Sequence, residues 1–91
     1  MEETEKMLEE LHALNTAAQM AREELCLKSI RLADEVVRCS LIMGDIRKVD
    51  DEEIRAYIEA DERYSKAVDE ATASAERLSL FLETDPRGGA L

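Results

Sequence analysis

Between its first residue and Asp85 the chain holds one helix breaker, Gly44. The other two glycines and the only proline sit in the last six residues, as Pro86, Gly88 and Gly89. Glycine and proline are the residues a helix interior tolerates least. Ninety-one residues with one interior breaker, rich in Ala, Glu, Leu and Arg, predict an all-α chain with one turn.

Two long amphipathic segments flank that turn. The first runs from about residue 3 to 43. Its apolar seam is Leu11, Leu14, Ala18, Ala21, Leu25, Ser29, Leu32, Val36, Cys39 and Met43, in steps of three and four with one four-residue stutter near Leu25. The second runs from about 51 to 84, with a seam of Ile54, Ile58, Asp61, Ser65, Val68, Ala71, Ala75, Leu78 and Leu82. A flanking stripe adds Tyr57, Tyr64, Ala67, Ser74 and Phe81. Such helices would measure roughly 60 and 50 Å. Neither is stable alone in water, so each must bury its stripe.

The connection "GDIRKVDD" carries stop and start signals. Gly44 suits the left-handed residue that ends a helix. Asp50 and Glu53 have capping-box spacing, and Asp51 and Glu52 suit the positive end of the second helix. A turn over 44–50 makes the helices antiparallel neighbours. Folding symmetrically about residue 47 sets position i against 94 − i, so that Ile58 meets Val36 and Val68 meets Cys26. A break at Asn15-Thr16, where Thr16 and Gln19 have capping-box spacing, would give three helices. The seam passes through these residues in phase, which favours one helix. The domain is thus residues 1–84, followed by a flexible tail, 85–91.

Residues 25 to 43, "LCLKSIRLADEVVRCSLIM", hold more apolar surface than one seam uses. Leu25, Leu32 and Val36 face the intrachain seam with Ile54, Ile58, Val68 and Leu78. Cys26, Ile30, Ala33, Val37 and Leu41 form a second row, of the kind that marks an interaction site. A second copy of the chain is the simplest cover, giving a four-helix bundle from two hairpins. Tyr57 and Tyr64, one apolar end and one polar, are candidate contacts for the same partner.

Composition narrows the function classes. A core with one Phe, two Tyr and no Trp is thin, and a partner chain would thicken it. The net charge of −10 argues against direct binding to nucleic acid or anionic membrane. The acidic N-terminal "MEETEKMLEEL" does not read as an ordinary signal peptide, and no window approaches a membrane span. Cys26 and Cys39 lie thirteen positions apart, about 20 Å along a helix, too far for an intrachain disulfide. They read as reduced thiols of a cytoplasmic protein.

Chemical motifs are sparse. Glu9 and His12 have the Glu-x-x-His spacing used in di-iron bundles, with Glu83, near His12 in the symmetric pairing, or the more distant Glu76 as further carboxylates. Two cysteines so far apart give no thiolate cluster. His12 is remote from both thiols, and no phosphate-binding glycine loop occurs. The expectation is a non-enzymatic protein without cofactor: a small acidic hairpin that associates with itself and binds another protein as adaptor, chaperone or inhibitor. One alternative is an acidic, phage-type inhibitor that occupies the basic nucleic-acid groove of its target. Another is a metal-binding bundle using Glu9 and His12.

Overall fold

A computed structural model describes residues 2–84. Helix α1 spans Glu2–Val37 and continues into a π-helical turn, Arg38–Ile42. A 3-10 turn, Ile46–Lys48, precedes helix α2, Asp51–Thr84. The molecule is an antiparallel helical hairpin, 66 × 17 × 16 Å, with no strand among the described residues. The tail, residues 85–91, lies outside them.

Helix α1 is continuous through Asn15-Thr16. Thr16 caps nothing; its hydroxyl donates back to the His12 carbonyl at 2.9 Å, a bond that a helix interior permits. The last helical stretch widens, and the Met43 N–H closes on the Arg38 carbonyl five residues earlier. Gly44 then takes φ +70°, a conformation that strains any residue with a Cβ. Past it, the Asp45 N–H reaches back to the Cys39 carbonyl at 2.9 Å. Two aspartates cap the 3-10 turn and α2. Asp45 accepts from the Arg47 N–H, and Asp50 accepts from the Glu52 N–H at 2.9 Å.

Burial defines the seam. On α1 and the turn after it, the covered line is Thr4, Met7, Leu11, Leu14, Ala18, Ala21, Leu25, Lys28, Leu32, Glu35 and Cys39, an unbroken three-four repeat. On α2 it is Glu53, Tyr57, Ala60, Tyr64, Ala67, Ala71, Ser74, Leu78 and Phe81, again at three-four spacing. Glu24, Val36, Ala56 and Ala73 are half-covered at its edges. The centre of the α2 seam therefore sits on the stripe expected only to flank it. Ile54, Ile58, Val68 and Leu82 are exposed beside it, whereas Leu78 is buried. The stutter expected near Leu25 is absent, because Lys28 and Glu35 hold seam positions that an apolar pattern passes over. Their long aliphatic stems can line a seam while the charged ends reach water. Small residues dominate the middle: Ala18 and Ala21 on α1, Ala67, Ala71 and Ser74 on α2.

The register differs from simple symmetry about residue 47. Two ion pairs cross the hairpin, Glu24 with Arg63 and Glu10 with Arg77, and in both the positions add to 87 rather than 94. The difference is one heptad. Residues 44–50 do not span the gap at the tip; they run back along α1, so that α2 starts level with Val36 instead of Met43. A seven-residue shift leaves the stripes in phase, which is why the seam survives it. Val36 thus stands level with Asp51, not Ile58.

Candidate interaction surface

Each helix shows the seam, two flanks and a back. The seam repeat assigns them: residues just before a seam position lie on one flank, those just after on the other. Both crossing ion pairs join residues just before the seam, so that flank of α1 and that flank of α2 share one side of the hairpin. The opposite side holds the residues just after. There Leu11, Asn15, Val68 and Thr72 line a shallow groove of about 290 Å³.

The expected second row of α1 is on the surface throughout. Cys26 and Ala33 follow Leu25 and Leu32 directly and edge the second side; both are exposed. Ile30 and Val37 fall midway between seam positions, on the back of α1, 59% and 53% exposed. Leu41 follows in the π-helical turn at 78%. Ile42, Met43 and Ile46 enlarge this apolar surface at the tip; all are exposed. In the sequence Ile42 and Ile46 are simply apolar residues near a turn, and only the fold-back of the loop puts them outside both helices.

Tyr57 and Tyr64 stand apart from the exposed row of α1. Both are half-buried seam residues of α2, packed toward α1. Their flat rings occupy the end of the seam where α1 presents Leu25, Lys28 and Leu32. Asp61 is exposed, and no ion pair reaches it among the described residues.

A polar cluster that sequence reading missed closes the tip. Cys39 is fully buried, and its thiol donates to a Glu35 carboxylate oxygen at 3.3 Å. Arg38 donates to the same oxygen and also contacts the Met43 sulfur at 3.1 Å. The Arg38 hydrogen bond, aided by that from Cys39, holds the Glu35 carboxyl below its ordinary range. Burial pushes the Cys39 thiol upward, and the neighbouring carboxylate adds to this. The thiol is therefore kept neutral, which suits a packing residue and not a nucleophile. Arg47 is tied to Asp45 by its side chain at 3.1 Å, and this pairing lowers the Asp45 carboxyl. Of the four basic residues around the tip (Arg31, Arg38, Arg47 and Lys48), Arg38 and Arg47 are thus committed to local carboxylates.

Glu9 and His12 are both exposed. In the observed register Glu83 stands level with Thr4, more than two turns from His12, and Glu76 level with Leu11 but on the outer back of α2. No three His, Cys, Asp or Glu side chains gather to hold a metal ion among the described residues. No helix of the described residues is long and apolar enough to cross a membrane.

By fold the chain is an all-α antiparallel hairpin of coiled-coil type. No protein-family model, no curated protein and no solved structure matches it.

Proposed function

We propose that this chain is a non-enzymatic protein–protein interaction module: an acidic helical hairpin that associates with itself and presents its tip to another protein. The observation that carries this reading is the exposed apolar surface at the tip, Ile30, Val37, Leu41, Ile42 and Ile46, on a chain with a net charge of −10. Contiguous apolar surface of this kind lowers solubility unless something covers it. The hydrogen bonds around Gly44, Asp45 and Asp50 hold this surface at the end of a rod, as an adaptor or inhibitor requires. A cytoplasmic setting belongs to the same proposal and is supported by two unpaired cysteines.

Two measurements test it. Light scattering on a sizing column, at micromolar concentration and two salt levels, should give a mass above the monomer at both, because apolar contacts are little screened. A monomer throughout would remove self-association from the reading. Affinity capture with wild type and with Leu41→Glu as paired baits tests the tip. A protein retained by the first and lost from the second is expected; identical captures would overturn the assignment of the tip.

A second reading has its own observation. The outer back of α2 carries Glu62, Asp69, Glu76 and Glu83 at seven-residue intervals, an acidic line along the rod. An inhibitor that occupies a basic nucleic-acid groove would use such a line. Its binding would weaken steeply with salt, whereas tip binding would not.

A further inference from the structure

The two sides of the hairpin differ in charge. Of the twenty residues just before a seam position, thirteen are charged; of the twenty just after, three are: Glu5, Arg22 and Asp61. That second side also exposes Leu8, Ile54, Ile58, Val68 and Leu82. It runs the length of the molecule, separate from the apolar tip.

We propose that a second copy of the chain covers this low-charge side, both hairpins pointing the same way, with α1 of each lying along α2 of the other. This dimer gives a form to the self-association proposed above and rests on it. Area permits it: a footprint of 66 by 17 Å is roughly 1,100 Å² per chain, more than the ~800 Å² per partner of an ordinary stable interface. Charge density selects the side, since thirteen charged groups of each copy would have to be desolvated where two charged flanks meet and only three where the flank is bare.

Size and charge select the arrangement. In the register that adds to 87, Ser29 is level with Ile58 and Ala33 with Ile54. With α1 against the partner's α2, small residues of one copy face large residues of the other. Arg22 then lies one helical turn from the level of the partner's Asp61, within reach of an arginine side chain, and the symmetry makes this contact twice. Arg22 and Asp61 are exposed and without an ion-pair partner among the described residues. Turning one copy end for end, fully overlapped, brings the two Arg22 side chains together instead. Like charges opposed across an interface disfavour it.

The test uses Arg22→Glu and Asp61→Arg in the full chain, with sedimentation velocity for mass and circular dichroism for folding. Each variant alone should dimerise more weakly, on the order of tenfold or more, because each sets like charges across the interface. An equimolar mixture should recover the dimer as a heterodimer, since both contacts between positions 22 and 61 then join opposite charges again. Repulsion within each variant chain persists in the mixture, so recovery isolates the contact between chains. Leu41→Glu, at the tip, should leave the dimer intact. A wild type that is oligomeric but indifferent to both reversals would overturn this arrangement and leave self-association standing on another surface. A wild type that stays monomeric at tens of micromolar would overturn both.

Discussion

At the open end, where Glu3 stands level with Thr84, the two helices are held by the seam and by the ion pair Glu10–Arg77. Leu78 and Ser74 are buried there, and the back and one flank are densely charged. At the tip, hydrogen bonds do much more: the Cys39–Glu35–Arg38 cluster, the Asp45 and Asp50 caps, and the return from Asp45 to Cys39. Yet the tip exposes its apolar residues more fully: Leu41 and Ile42 are 78% and 79% exposed, against 60% for Leu80 and 50% for Leu8 at the open end. The open end buries Leu78 and partly covers Met7, Leu11 and Phe81 in its own fold, with Leu8, Leu80 and Leu82 exposed; the tip is ordered by polar contacts, which leaves Ile30, Val37, Leu41 and Ile42 outside. An end that is well ordered and apolar is suited to recognition, because little is lost in ordering it further.

The largest expected effect tests that division. Leu78→Ala, at a position 7% exposed, should cost about 2–3 kcal/mol in chemical denaturation, the low end of the range for buried leucines because the seam is thin. Leu41→Ala, at 78% exposed, should stay within about 0.5 kcal/mol. Equal costs would mean the tip leucine is packed in solution. Next is Gly44→Ala. No atom lies within 4 Å of the added Cβ, so the cost is that of the backbone alone, about 1–2 kcal/mol for a left-handed residue. Asp50→Ala, which removes the cap from Glu52, should cost about 1 kcal/mol by the same measurement.

The acid limb distinguishes the two ends differently. The Glu35 carboxyl is held below its ordinary value of 4.5, so the folded chain favours the ionised form. The stability this supplies is present above that value and is lost as pH falls through the lowered one. Glu35→Gln should therefore be less stable at neutral pH and should lose less on acidification, as thermal melts at pH steps would show. Cys39 acts in the opposite sense: its raised thiol favours the fold below the ordinary 9.0 and ceases to do so as pH climbs past it. Smallest is Arg63→Ala, which removes an exposed cross-hairpin pair with Glu24 and should cost no more than about 0.5 kcal/mol, shrinking with salt.

The hairpin, its turn at Gly44 and the start of α2 at Asp50 are legible in the sequence because breakers and caps act locally. The α1 seam is legible through Leu11, Leu14, Ala18, Ala21, Leu25 and Leu32. The α2 seam is legible only at Ala71 and Leu78, because Ile54, Ile58 and Val68 outweigh Ala60, Ala67 and Ser74 in apolarity while much of the closer-packed stripe is made of the small ones. Lys28 and Glu35 are invisible to an apolar count for a related reason: only their stems are apolar. Symmetry about residue 47 misses the register by one heptad, because a sequence shows how many residues a loop has and not which way it runs. The exposed row from Cys26 to Leu41 is visible as surplus apolar surface, and its division between a flank and the back requires the seam first. The seam placement of Tyr57 and Tyr64 is not legible from residue type, because seam tyrosines and interface tyrosines share the same amphipathic character.

A repeat of seven is blind to a slip of seven. Sliding α2 along α1 by one heptad would match alternate positions nearly as well, and the small residues in the middle would resist it little. What singles out one alignment is the tip, where the π-helical turn, Gly44 and the two aspartate caps fix how much chain is consumed on the way back. Assembly that starts from the tip meets only the native alignment, and each added turn of helix closes on its proper mate. Assembly that starts from the open end can close on the wrong one and must come apart before it can correct itself.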